Sequence, residues 1–282
     1  MVKVMSDSTS DLGKELLERY DVDVLPLHII LGDQEYLDGK NITPDEIYAW
    51  SEANQTTPKT SAPAISDAAD LMRPYLDQGM EIVCFSISED MSASAGVMRM
   101  AAEALGCEDR VFVINSANLS TGIGLLVIEA AIMAKEGKSA AEIVQAIDVL
   151  KPRVRASFVV DTLEYLHRGG RCSGVAAFFG TALKLHPEIV VENGKMHPSR
   201  KYRGRMSKVM MSYVKDREAS IKNAKKDRIF ITHSSCEDTM IHEVRAYLES
   251  LNVFDEILVT RAGGVISSHC GPGTLGVLYI EN

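Results

Sequence analysis

EIVCFSISEDMSASAGVMRMAAEAL, residues 81–105, is the stretch on which the fold turns. Residues 81–87 are almost continuously apolar, the mark of a strand buried on both faces. A short polar turn follows. From Ser92 onward small residues and methionines take helical spacing to Leu105. A buried strand feeding a helix through a tight polar turn is half of a βαβ unit.

The rhythm continues on both sides. Residues 2–5 read as a first strand entering a polar turn, and Leu12, Leu16 and Leu17 give a short amphipathic helix. Residues 22–31 and 35–37 look extended about a turn at Gly32-Asp33. Thr43-Pro44-Asp45-Glu46 starts a helix with a threonine cap, a proline at the first helical position and a glutamate three residues past the cap. Residues 55–66 form a polar loop, and Ser66 caps a helix through Leu71 and Leu76. A strand at 111–114 leads into a helix through Lys135 that stops at Gly137. Ser139 and Glu142 form a second capping box and open a helix to Leu150. Strands alternating with helices predict an N-terminal three-layer α/β/α domain with a parallel sheet, residues 1–152, ending at Pro152.

Beyond it, residues 156–160 form a strand and 163–168 a helical turn. Asn193-Gly194 between two extended runs is the best hairpin signal in the chain. A long helix is expected over residues 206–224. Strands follow at 228–232, 256–260 and 275–280, with a helix through Val244 and Leu248. Residues 153–282 therefore read as a C-terminal α/β domain with a mixed sheet.

Composition narrows the function. The 282 residues are 46% hydrophobic and 24% charged, ordinary for a globular protein. The net charge of −9 disfavours nucleic acid as a partner. The charge is uneven: residues 195–228 hold twelve Lys/Arg and three Asp/Glu. That segment is a solvated surface or a docking face for an acidic partner or a membrane, so transient membrane contact stays open. No signal segment is visible and no apolar run is long enough to span a bilayer, Glu129 interrupting the longest. Five scattered cysteines without a Cys-x-x-Cys pair indicate free thiols in a reducing cytoplasm, not a disulfide framework or a zinc site. The pair Glu164 and His167 is too little for a metal site.

Polar, turn-rich segments mark candidate sites. They are Asp7-Ser8-Thr9-Ser10-Asp11, Lys59-Thr60-Ser61-Ala62-Pro63, the helix start at Ser92, Leu166-His167-Arg168-Gly169-Gly170-Arg171, and His269-Cys270-Gly271-Pro272-Gly273-Thr274. A helix start offers free amides and a positive dipole end to an anion. Arginines around paired glycines can clamp an anion or sit in a surface turn. The His269 segment reads as a shaped turn presenting an imidazole. Serines and threonines in such places also serve as plain caps. No Gly-x-x-x-x-Gly-Lys run supports nucleotide binding, and the run around Ser92 lacks the first glycine of a hydrolase nucleophile elbow.

Taken in order and spacing, these segments resemble the DegV family along nearly the whole chain. The resemblance rests on Asp7-Ser8-Thr9, on Lys59-Thr60-Ser61-x-Pro63 and on the Ser92 helix start. It continues through Asn115-Ser116 to Gly124, Leu163 to Gly170-Arg171, Glu192-Asn193-Gly194 and His269-x-Gly271-Pro272-Gly273-Thr274. It implies a long-chain fatty acid lying in a tunnel between the two domains, its carboxylate held by Thr60, Ser92 and His269 with Ser61 adjacent. It implies no cofactor and no catalysis by the chain itself. Some members present the carboxylate to a fatty acid kinase subunit for acyl phosphate formation, within bacterial phospholipid metabolism. Arg168 and Arg171 would face that partner. Five positions depart from the usual family pattern: Ala62 and Ala64 in the loop, Ala93 and Ser94 after Ser92, and Asn115 in place of an aspartate. The expected tunnel wall is Ala95, Val97, Met98, Ala101, Ala177, Phe178, Phe179, Ala182 and Leu183. The competing reading is a serine hydrolase or acyltransferase, with Ser92 as nucleophile, His269 as base and Asp7 as orienting acid.

Overall fold

The computed structural model describes residues 1–172 and 185–282. In chain order its strands are β1 (Val2–Asp7), β2 (Val22–Leu25), β3 (His28–Leu31), β4 (Gln34–Leu37), β5 (Lys59–Ser61), β6 (Glu81–Ser86) and β7 (Val111–Asn115). They continue with β8 (Val154–Val159), β9 (Leu185–Glu192), β10 (Lys195–Arg203), β11 (Ala224–Ser234), β12 (Glu256–Arg261) and β13 (Thr274–Glu281).

The first sheet has the order β2-β1-β6-β7 and every pairing in it is parallel. Its strands are apolar on both faces because helices cover both. Met5, Ile82 and Cys84 pack with Ala68, Met72 and Met98 from helices Ile65–Asp77 and Ser94–Ala104. Val4, Val83 and Phe85 pack on the other side with helices Thr121–Lys135 and Ala140–Leu150. The three-layer α/β/α arrangement follows from that two-sided burial.

The second sheet has the order β10-β9-β8-β13-β11-β12. Among the described strands β11 and β12 pair in parallel and the other neighbours antiparallel, so the sheet is mixed. One face carries the helices Met206–Asp216, Glu218–Lys222 and Asp238–Ser250. The other face supplies Ala156, Phe158, Phe230 and Leu278 to the core shared with the first sheet. Helix Thr121–Lys135 contacts β1 and β6 on one side and β8 and β13 on the other. It is apolar all round because it lies between two sheets. Its one carboxylate, Glu129, accepts from Lys225 Nζ at 2.7 Å and pairs with the buried Arg228. Among the described residues, no helix is long and apolar enough to cross a membrane.

Both capping boxes form as the sequence requires, at Thr43/Glu46 and at Ser139/Glu142. Asn193 and Gly194 take φ of 50° and 79°, the left-handed pair of a two-residue hairpin joining β9 to β10.

Other expectations need correction. The segment around Thr60 is not wholly loop: β5 pairs with β3 in a third sheet of order β4-β3-β5, putting Thr60 opposite Ile29. Ala64, not Ser66, stands at the cap of helix Ile65–Asp77. The long helix expected over 206–224 breaks at Arg217, whose guanidinium turns inward to Glu188 (2.7 Å), and Ala224 already begins β11. His269 lies in the last turn of a helix, Gly264–Cys270, and the glycine-rich turn comes only after it.

Candidate functional site

Thr60 and His269 are far apart in the chain and meet directly. Thr60 Oγ1 lies 2.8 Å from His269 Nε2. The third sheet delivers the threonine, and helix Gly264–Cys270, packed against β3, β5 and helix Pro44–Asn54, delivers the imidazole. Ser92 arrives from the first sheet. Beyond β6 the chain turns on the carbonyl of Ser88, which accepts from Met91 N at 2.9 Å and Ser92 N at 3.1 Å. The Ser92 hydroxyl accepts from Ser94 N at 3.3 Å and lies 2.9 Å from Ser94 Oγ. Ser92 thus precedes helix Ser94–Ala104 and stays partly open.

Thr60, Ser61, Ser92, Arg171 and His269 line one cavity of about 210 Å³. Its apolar wall includes Met91, Leu119, Met196, Ile266 and Cys270. Leu119, Ile266 and Cys270 also border a second space of about 20 Å³, which reaches Phe158 and Leu278 between the two sheets. Polar groups and an apolar wall thus face one cavity, and three apolar residues stand between it and the second space.

The electrostatics favour an uncharged imidazole. Burial, with the positive charge of Arg171 nearby, pushes the His269 pKa down to about 4. Its Nδ1 is buried without a hydrogen-bond partner. Gly169 explains the close packing there: a methyl group at that position would stand 2.3 Å from Nδ1. The paired glycines thus have separate physical causes, since Gly170 takes φ of 68° to end helix Glu164–Gly169.

The two arginines of that segment diverge. Arg171 lines the cavity, and its Nη1 donates to Gly169 O at 2.6 Å. Arg168 is 40% exposed, pairs with Glu164 and lies on another surface hollow.

The hydrolase arrangement is not assembled. His269 bonds Thr60 rather than Ser92, and no carboxylate reaches its Nδ1. Asp7 is held elsewhere, accepting from Thr9 N at 3.1 Å and Ile87 N at 2.9 Å. Among the described residues, no group of three or more His, Cys, Asp or Glu side chains is placed to hold a metal ion.

Four of the expected wall residues lie away from this cavity. Val97, Met98 and Ala101 pack against helix Ile65–Asp77, and Ala95 does not line the cavity. Ala177, Phe178, Phe179, Ala182 and Leu183 lie outside the described residues. Ile266, absent from the sequence reading, and Cys270, read there only as part of a turn, do form wall. Their i, i+4 spacing, repeated by Val265 and His269, was the available signal of one helical face.

Comparison with known proteins gives this geometry a setting. The family described as "Uncharacterised protein, DegV family" matches residues 1–282. A DegV domain-containing protein of Clostridium perfringens is 30% identical over 280 residues, covering 99% of this chain and 98% of that one. Among solved structures, a DegV family protein of Thermus thermophilus, described as binding fatty acid, superposes with a TM-score of 0.90 at 30% identity, covering 100% and 99% of the two chains. A stearic-acid-binding protein of Eubacterium ventriosum gives a TM-score of 0.83 at 30% identity, covering 100% and 98%. The chain belongs to the DegV family.

Proposed function

We propose that this protein binds a long-chain fatty acid between an N-terminal part, residues 1–152, and a C-terminal part, residues 153–282. The observation that carries the reading is the convergence of Thr60, Ser92 and His269 on one cavity that also has an apolar wall. The fatty-acid binding described for relatives at 30% identity supports it.

The carboxylate accepts from the hydroxyls of Thr60, Ser61 and Ser92 and from His269 Nε2–H. Hydrogen bonds to an ionised acceptor are about twice as strong as neutral ones. Arg171 contributes positive charge at the wall, with no ion-pair partner among the described residues. The tail supplies the larger part of the affinity. At about 0.8 kcal/mol per buried methylene, fourteen methylenes give roughly 11 kcal/mol before ordering costs of several kcal/mol. Ligand pockets usually begin near 300 Å³. A long chain therefore requires Leu119, Ile266 and Cys270 to move apart and join the two spaces.

The protein is soluble and cytoplasmic on this reading and contributes no catalysis. It needs no cofactor. It presents the bound carboxylate to a fatty acid kinase subunit, which forms the acyl phosphate, and Arg171 at the cavity and Arg168 on the separate surface hollow meet that subunit. Native mass spectrometry of the purified protein tests the ligand. A co-purified or readily added C16–C18 fatty acid is expected. A ligand-free protein that refuses added fatty acid ends the proposal.

A further inference from the structure

The acidic turn after β1 is left unused by the head-group reading. Its Asp11 is 5% exposed, and Asp38, from the turn after β4, is 3% exposed. Both reach the start of helix Gly264–Cys270. Asp11 Oδ1 accepts from Gly263 N at 2.8 Å, and Asp38 Oδ1 accepts from Gly264 N at 2.7 Å. These amides have no partner within the helix, and a carboxylate suits the positive end of the helix dipole.

The glycines make the approach possible. A methyl group at Gly264 would lie 2.9 Å from Asp38 Oδ1 and 2.5 Å from Ile29 Cδ1. One at Gly263 would lie 3.1 Å from Asp11 Oδ1. Asp11 also ties this helix to its neighbour, since its Oδ2 accepts from Ser120 Oγ at 2.6 Å, just before helix Thr121–Lys135. The middle of the short helix is held too: Ser267 Oγ lies 2.9 Å from Ser234 Oγ, which bonds Tyr48.

The far end of the same helix carries His269. A helix of seven residues is about 10 Å long and moves as a rigid rod. Displacement at its start is therefore felt at the imidazole. We propose that Asp11 and Asp38 are positioning residues for the cavity, two carboxyl caps that fix this helix axially and so set His269 Nε2 against Thr60. Burial pushes the Asp11 carboxyl up to about 8 and raises that of Asp38 as well. The proposal rests on the reading of His269 as a head-group contact.

The test compares wild type with Asp38→Ala, Asp38→Asn and Gly264→Ala, reading palmitate affinity and the ring nitrogen signals of ¹⁵N-labelled His269. Asp38→Ala should weaken palmitate binding about five- to tenfold and shift the His269 signals, as a lost cap lets the helix start drift. Asp38→Asn keeps an acceptor for Gly264 N–H and should bind within about twofold of wild type. Gly264→Ala keeps both carboxyls but crowds the helix start, and should reproduce the alanine variant; it decides the matter if Asp38→Ala does not fold. Lowered thermal stability with unmoved His269 signals and unchanged affinity would overturn the proposal. If wild type binds no palmitate yet Asp38→Ala shifts His269, the placement stands and the head-group reading falls.

Discussion

Helix Gly264–Cys270 has two unlike ends. Its start meets two buried carboxyl groups, each bonded to a backbone amide. Its finish carries an imidazole with one nitrogen on Thr60 and the other without a partner. Burial disfavours the charged form at both ends, pushing Asp11 up to about 8 and His269 down to about 4. Both backbone amides at the start find a carboxyl acceptor within the protein, although Asp38 Oδ2 itself has no hydrogen-bond partner. The polar groups at the finish face a cavity, and their hydrogen-bonding capacity is incompletely used. The contrast separates groups that hold the fold from groups that wait for a ligand.

The largest effect should come from cutting the ligand-facing end alone. Thr60→Ala and Ser92→Ala should each cost about 1–3 kcal/mol of fatty-acid affinity, because a buried carboxylate loses a donor. That is roughly 5- to 150-fold per site. Thermal stability should change little in Ser92→Ala, whose hydroxyl stands at a partly open mouth, and fall modestly in Thr60→Ala, which removes the partner of His269 Nε2. Calorimetric titration with palmitate beside a melting curve makes the comparison. A double variant that binds as wild type removes the head-group assignment.

A smaller effect distinguishes the ends by pH. Unfolded aspartates titrate near 4 and histidines near 6.5. Asp7 and Asp11, raised to about 6 and about 8, keep protons that the unfolded chain has released. Their contribution to stability is whole below about pH 4 and declines as pH rises towards 8. His269 acts in the opposite sense. Between about pH 6.5 and 4 the unfolded chain takes up a proton that the folded imidazole refuses, so stability falls as pH drops through that window. Urea midpoints measured across pH 4–9 should lose part of their alkaline decline in Asp11→Asn and part of their acid decline in His269→Gln. Parallel profiles for both variants and wild type would show that the two ends do not titrate as described.

The same contrast explains what was legible in the sequence. The polar mouth was readable because Thr60, Ser92 and His269 stand in distinctive turn-rich segments, although only the fold brings them together. The acid caps were not readable. An Asp-Ser-Thr-Ser-Asp turn has the composition of a solvated loop, and its burial arises from a helix that begins some 250 residues later. That helix was itself missed because Gly271, Pro272 and Gly273 made the whole segment look like a turn. Strand β5 was missed for a related reason. Three residues carry no periodicity, and its pairing with β3 is a tertiary matter. Local signals such as Asn193-Gly194 and the two capping boxes succeeded because their geometry depends only on neighbours in the chain.

The smallest expected effect concerns the two arginines flanking Gly169-Gly170, which the sequence presents as equivalent. Arg171 lines the cavity and helps to depress the His269 pKa. Arg168 pairs with Glu164 on the surface. Reversing Arg171 to glutamate puts negative charge beside the incoming carboxylate. Solvent screening at this exposed position keeps the cost to about 1 kcal/mol, roughly fivefold in palmitate affinity. The His269 pKa should rise at the same time, because the positive neighbour that lowered it has gone. Arg168→Glu sets two glutamates four residues apart on one helix face, a few tenths of a kcal/mol of local repulsion. It should leave both palmitate affinity and the His269 pKa where they were. Titration of the ¹⁵N-labelled imidazole in each variant, beside the binding curve, reads both quantities. Equal responses from the two reversals would mean that the arginines act through the general charge of the segment, and that the cavity does not discriminate between them.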